Sequence, residues 1–252
     1  MARTKEKKKK KSPFLKFLLS FFLLGLLGIG GYYFLSLPIW KIQEVVVTGT
    51  KILSAEEIRS LSGIPYGENL FWADFTHAQK NLEKISAIEK FNFYRIPPGT
   101  VLIKIKEREP IAVVILENKS AVVDREGYLL NRSPKISLSI SNLEELPVIS
   151  GISTYELIGE EKINPRVAYL LPNLILELSR SLGSHKIHLE LGNFENMSFL
   201  LDDLLRVKIG RDENLSEKIE ILKGLLKELA GRWGQVEYVD VRFPNNPVVK
   251  YR

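Results

Sequence analysis

Three histidines, several side-by-side carboxylates and no cysteine are the material from which this 252-residue chain would have to build any catalytic or metal site. Without cysteine there is no thiolate nucleophile, no disulfide and no sulfur-ligated zinc. His185 and His188 lie three apart in a run with strand character, His185 to Leu191. Strand side chains alternate faces, so these two point opposite ways and cannot share a metal. His188 and Glu190 do share a face, but two ligands leave a zinc site incomplete. His77 stands alone. Glu144-Glu145, Glu160-Glu161 and Asp202-Asp203 read as solvated turn residues, since acid/base hydrolysis needs two carboxylates set across a substrate. There is no G-x-S-x-G elbow, P-loop or H-E-x-x-H. The pattern predicts a protein that binds, with no catalytic residue, metal or cofactor. A membrane-anchored cell-wall hydrolase is the enzymatic alternative, because two carboxylates can meet from distant parts of a chain.

The net charge of +6 is unevenly placed. Arg3, Lys5, Lys7 to Lys11 and Lys16 against Glu6 give the first 16 residues roughly +7, which leaves the remainder close to neutral. That remainder carries no electrostatic footprint for nucleic acid. From Phe17 to Trp40 there is no charged residue, a run of about 24 where roughly 20 helical residues cross a bilayer. Lysines on one flank and Tyr32, Tyr33 and Trp40 toward the other predict a span over 17–39 with the N-terminus cytoplasmic. A cleaved signal peptide would have a shorter apolar core and a small-x-small site, for which Gly28-Ile29-Gly30 is a poor candidate. Gly25, Gly28 and Gly31 could form a smooth helix-packing stripe.

The elements beyond the span follow from local signals. Lys41 to Gly49 is rich in β-branched residues and predicts a strand. Ser54-Ala55-Glu56-Glu57 is a capping box opening a short helix with Ile58 and Leu61 on its apolar side. A second helix is expected from Asp74 to Lys84, and two strands, Ala87 to Tyr94 and Val101 to Glu107, around the turn Pro97-Pro98-Gly99. Strand, helix, helix, strand, strand over 40–109 makes one small two-layer domain. Pro110 opens a second region, 110–252, of mostly antiparallel strands with packed helices. Asn164-Pro165 starts one helix, which Pro172 should kink. Asn214 with Glu217 starts another. Asn131 to Asn142, Ser-rich between Ser133 and Ser141, is expected to be a loop. The strands Tyr238 to Phe243 and Val248 to Tyr251 close the chain. The expected class is α+β.

In this order several strings become recognisable: Val45-Val46-Val47-Thr48-Gly49, Gly67-Glu68-Asn69-Leu70-Phe71, Arg95-Ile96-Pro97-Pro98-Gly99-Thr100-Val101, Glu107-Arg108-Glu109-Pro110-Ile111-Ala112, Val123-Asp124-Arg125-Glu126-Gly127, Leu146-Pro147-Val148-Ile149-Ser150-Gly151 and Tyr238-Val239-Asp240-Val241-Arg242-Phe243. With the basic tail and single anchor, the chain resembles the FtsQ/DivIB family of bacterial cell-division proteins. The resemblance implies a membrane-proximal POTRA domain and a larger β domain. It also implies a non-enzymatic scaffold of the divisome in the cytoplasmic membrane at the septum, bound to FtsB- and FtsL-like partners and linked to septal peptidoglycan synthesis. In the family the FtsB partner adds a strand near the end of the β domain, which maps to Val248, Val249, Lys250 and Tyr251 with Tyr238, Asp240 and Arg242 beside them. Other division partners are associated with the POTRA domain, whose second strand, with Ile88, Phe91 and Phe93, is the expected exposed edge. The runner-up is a POTRA-bearing envelope protein serving outer-membrane assembly or secretion.

Overall fold

A sequence apolar throughout save for Lys16, Ser20 and two tyrosines winds into α1 (Pro13–Leu35) in the computed structural model, which describes residues 13–117, 119–130, 137–152, 157–158, 162–183, 185–191 and 195–252. Lys16–Leu35 is long and apolar enough to cross a membrane, and none of its residues is buried by the described protein. The helix stops short of the end of the apolar run. Pro38 disfavours helical backbone in the residue before it, and the chain leaves α1 through a short 3-10 turn, Pro38–Trp40. The lysine tail and Glu160-Glu161 lie outside the described residues.

The next elements are β1 (Glu44–Thr48), α2 (Ala55–Ser62), α3 (Thr76–Glu83), β2 (Ile88–Ile96) and β3 (Thr100–Glu107), in a three-stranded sheet of order β1-β3-β2. Ser54 caps α2, its hydroxyl accepting from the Glu57 amide at 3.4 Å, and Gly63 closes it in the left-handed conformation. Ile58, Ala78 and Leu82 are fully buried, as are the alternate residues Val101, Ile103 and Ile105 of β3. Gly49 is obligatory: its φ is +88°, and a Cβ there would run into the Ile105 carbonyl oxygen.

By internal packing the chain forms two units. The smaller takes in the chain up to Val46, Ile64–Phe75 and Phe93–Ile103; the larger holds Val47–Gly63, Thr76–Asn92 and Lys104–Arg252. The larger unit contains one eight-stranded sheet. Its strands are β4 (Pro110–Leu116), β5 (Lys119–Asp124), β6 (Val148–Ser150), β9 (Ile187–Glu190), β10 (Met197–Leu201), β11 (Leu205–Gly210), β12 (Val236–Asp240) and β13 (Val248–Tyr251), arranged β13-β12-β11-β10-β9-β6-β4-β5. A separate small ribbon pairs β7 (Leu157–Ile158) with β8 (Lys162–Ile163). The large sheet is mixed: β11–β12, β4–β6 and β6–β9 run parallel, and the other four neighbouring pairs run antiparallel.

Register explains the core. Ala121, Val114, Ile149, Leu189, Phe199, Val207, Val239 and Val249 follow one another as cross-strand partners over all eight strands. Seven of them are at least 95% buried, and Val249 packs at the margin. Each fully buried aliphatic side chain contributes about 1.5–3 kcal/mol. The same core takes the apolar stripes of α4 (Pro165–Leu182) and α5 (Leu215–Glu228), which lie against each other. Asn164 caps α4 through the Arg166 amide at 2.9 Å, and α4 runs on through Pro172.

Two local expectations are corrected. Asn214 precedes α5 in a left-handed conformation, φ 53°, and its side chain makes no cap. The described part of the Ser-rich stretch is not a free loop: Leu138 bridges Leu53, and the Ser139 amide donates to the Ile52 carbonyl at 2.8 Å.

Candidate interaction edge

Among the described residues only one side of β13 is paired. The Arg252 amide donates to the Gln235 carbonyl at 2.9 Å, and β13 continues antiparallel to β12 through Lys250↔Tyr238 and Val248↔Asp240. Main-chain groups alternate sides along a strand, so Val248 and Lys250 bond inward to β12 while Val249 and Tyr251 turn their amides and carbonyls to the open side. An edge of this kind is a template for another strand.

Side chains divide the other way. Val249 joins the core row beside Val239, with Tyr251 on its face and half exposed. Val248 and Lys250 stand on the opposite face with Tyr238 and Asp240. Tyr238 and Tyr251 therefore do not share a face and cannot clamp a partner together. On the open face the Tyr238 ring lies beneath the Lys208 ammonium, 3.6 Å from its centroid, with Lys250 at 5.6 Å. Lys250 also bonds Glu237 at 2.8 Å, a contact that raises its pKa. Farther in, Glu190 accepts from Ser198 at 2.6 Å and from both Arg206 Nη atoms at 2.7 and 3.0 Å. This face is a ladder of paired charges.

β12 ends at Asp240, so Arg242 is not a strand residue. Its guanidinium grips the Asp240 carboxylate from Nε and Nη2 at 3.0 and 2.7 Å. Burial opposes ionisation of Asp240, but the Arg242 side chain and amide outweigh it and hold the carboxyl below its usual range. Gly210, at φ +71°, leaves room for the Arg242 stem. The turn carries Phe243 out to 68% exposure, while Val236, Val239 and Val241 fill the core.

A family model described as the C-terminal domain of cell division protein FtsQ/DivIB matches residues 112–242, and one described as an FtsQ-type POTRA domain matches 40–108. The chain belongs to the FtsQ/DivIB family. It is similar to cell division protein FtsQ of Corynebacterium glutamicum, 23% identical over 84% of this chain and 88% of the relative. DivIB of Clostridium tetani is 26% identical over 84% of this chain and 80% of its own. FtsQ of Syntrophotalea carbinolica is 26% identical over 84% and 74%. Membership assigns the chain to bacterial cell division.

Within this family framework, β2 lies at an edge of the POTRA sheet. Ile88 is buried and Phe91 and Phe93 are half-buried, so the side chains β2 turns outward are Lys90, Asn92 and Tyr94. Ile88 and Phe91, three apart on a strand, face opposite ways.

One cleft of about 290 Å³ gathers Glu89, Glu107, Glu109, Asp124 and Glu126 around Lys106, Arg108 and Arg125. Most of these carboxylates are committed to the fold. Glu107 accepts the amides of Lys51, Ile52 and Leu53 at 2.8–2.9 Å. Asp124 and Glu126 bind Arg108 at 2.8 and 2.9 Å, and Arg108 covers the Tyr128 ring at 3.6 Å. Glu89 is lowered in pKa chiefly by its hydrogen bond from Lys106, the opposite of what a general acid needs. His185 bonds Asp202 at 2.7 Å and His188 bonds Ser150 at 2.9 Å. Among the described residues no three metal-ligating side chains converge.

Sequence patterns could not reveal the Lys208–Tyr238 stack or the Arg206–Glu190 fork, because both depend on non-local strand neighbours.

Proposed function

We propose that this chain is a non-enzymatic, single-pass scaffold of the divisome, with its lysine tail in the cytoplasm and its folded domains outside. It takes FtsB- and FtsL-like partners by adding a strand to β13, and so couples them to septal peptidoglycan synthesis. The observation that carries this reading is the open side of β13, with the main-chain groups of Val249 and Tyr251 outward and a core-anchored side chain, Val249, between the inward-bonded residues. Strand addition draws affinity from main-chain hydrogen bonds and needs no deep pocket. Tyr251 and the Tyr238–Lys208 stack supply side-chain contacts on the two faces of the joined strand. The β2 edge of the POTRA domain, with Lys90, Asn92 and Tyr94, serves other division proteins.

Val249→Pro tests the placement. Proline removes the outward amide, fixes φ and trims the marginal packing of Val249, and edge positions of this kind tolerate it. The variant should keep its fold and lose co-purification of the FtsB-like partner from membranes. Retained binding refutes the β13 assignment. A fluorescent fusion of the unmodified chain should mark midcell in dividing cells; a uniform envelope signal counts against the divisome role.

A further inference from the structure

The string Gly67-Glu68-Asn69-Leu70-Phe71 is tied to the end of α1. Asn69 Nδ2 donates to the Leu35 carbonyl at 2.6 Å, satisfying one of the free acceptors at the helix terminus. The Leu70 amide donates to the Trp40 carbonyl at 2.7 Å, the Ile42 amide to the Glu68 carbonyl at 2.8 Å, and the Gly67 amide to the Ile42 carbonyl at 2.9 Å. Asn69 Oδ1 also accepts the Phe71 amide at 2.9 Å, fixing the turn that follows. Leu70 is fully buried by this arrangement, whereas Phe71 and Trp72 are turned out, Trp72 to 52% exposure.

These rings do not point into empty surroundings. Trp72 lies 5.8 Å from Tyr32, and Phe71 lies 5.4 Å from Trp40, which itself stacks edge-on against Phe34 at 5.4 Å. Tyr32 and Phe34 belong to the last turns of the apolar helix. Whatever depth those turns occupy, Phe71 and Trp72 occupy it too. Indole and phenol rings at the end of a span settle in the headgroup layer, and Phe71, packed on Trp40, is carried there with them.

We infer that residues 67–72 form a second membrane contact, in which Phe71 and Trp72 insert among the phospholipid headgroups beside the span. The occupant is the lipid surface. The contact rests on the reading that α1 crosses the bilayer, and it gives the smaller unit two points of attachment rather than one flexible stalk.

The chain has three tryptophans, so full-length protein in phosphatidylethanolamine–phosphatidylglycerol vesicles can carry one at a time. Trp40→Phe/Trp233→Phe reports Trp72, and Trp72→Phe/Trp233→Phe reports Trp40. With lipids brominated near the headgroup, both emissions should fall several-fold, and iodide in the water should quench Trp72 several-fold less than free N-acetyltryptophanamide. Quenching of Trp40 alone overturns the proposal and leaves the span intact. Quenching of neither overturns both. Because the chain has no native cysteine, Phe71→Cys bearing an environment-sensitive dye gives the same readout with all three tryptophans in place.

Discussion

Asp124→Ala should be among the costliest single substitutions outside the hydrophobic core. The carboxylate is 5% exposed, and accepts from Arg108 Nη1 at 2.8 Å, the Glu126 amide at 2.9 Å and the Tyr128 amide at 2.7 Å. Its partner is also confined. The Arg108 side chain is 11% exposed, and its Nε atom has no hydrogen-bond partner among the described residues. Burial alone would weaken the Arg108 charge; the hydrogen bonds it donates to Glu126 and Asp124 more than compensate and raise its pKa. Removing one member of a buried pair costs about 3–5 kcal/mol. Here the figure falls toward the lower bound, since Arg108 keeps Glu126 and the Tyr128 ring, so about 3 kcal/mol is expected. Asp124→Asn keeps an acceptor for the two amides and should cost about half as much, the share due to charge. Glu126→Ala, at the exposed end of the network, should cost under about 1 kcal/mol. The assay is urea unfolding of the full chain in detergent micelles, in a Trp40→Phe/Trp72→Phe background followed by Trp233 fluorescence, with Arg108→Met completing a double-mutant cycle. Equal effects of Asp124→Ala and Glu126→Ala, both under about 1 kcal/mol, would refute the assignment of Asp124 as the buried centre.

Other outcomes follow from the same geometry. Gly49→Ala should lose about 2 kcal/mol or more, from left-handed backbone plus collision with the Ile105 carbonyl, whereas Gly67→Ala, at φ +81° with open space around it, should lose only about 1 kcal/mol, as thermal unfolding of the two variants will measure. Asp240 has a folded pKa below its unfolded value of about 3.9. Its stabilising contribution is therefore complete above about pH 4 and fades as pH falls through the lower folded pKa. The stability gap between the chain and Asp240→Asn should accordingly be flat from pH 7 down to about 4 and shrink below it; a gap that begins to close near neutrality contradicts the Arg242 pairing.

Local signals in the sequence located most elements and almost none of the pairings. The charge-free run announced α1, but Pro38 moved the helix end to Leu35. Ser54 and Asn164 marked real caps because an N-cap is decided within three residues; Asn214 misled because its left-handed backbone aims the side chain away from the helix amides. Alternation in β3 identified its buried face. Strand order was beyond reach, since β6 pairs in parallel with both β4 and β9, bringing together residues distant along the chain. For the candidate site, the closing strand was legible from its position and β-branched residues. Lys208 over Tyr238 was not, and neither was the early end of β12, where a fork between Asp240 and Arg242 replaces the ladder and expels Phe243. Lys218, 4% exposed on α5 and bonded to the Arg211 carbonyl at 2.8 Å, broke the rule that lysine marks a solvent face.

The proposed recruitment of a partner strand by β13 is tested most directly by amide exchange at single-residue resolution. In the chain alone the Lys250 amide should exchange slowly, because it bonds inward to β12, while those of Val249 and Tyr251 should exchange freely. Adding the FtsB-like partner should slow Val249 and Tyr251 together. A complex that forms while these two amides still exchange at their free rates would contradict the account.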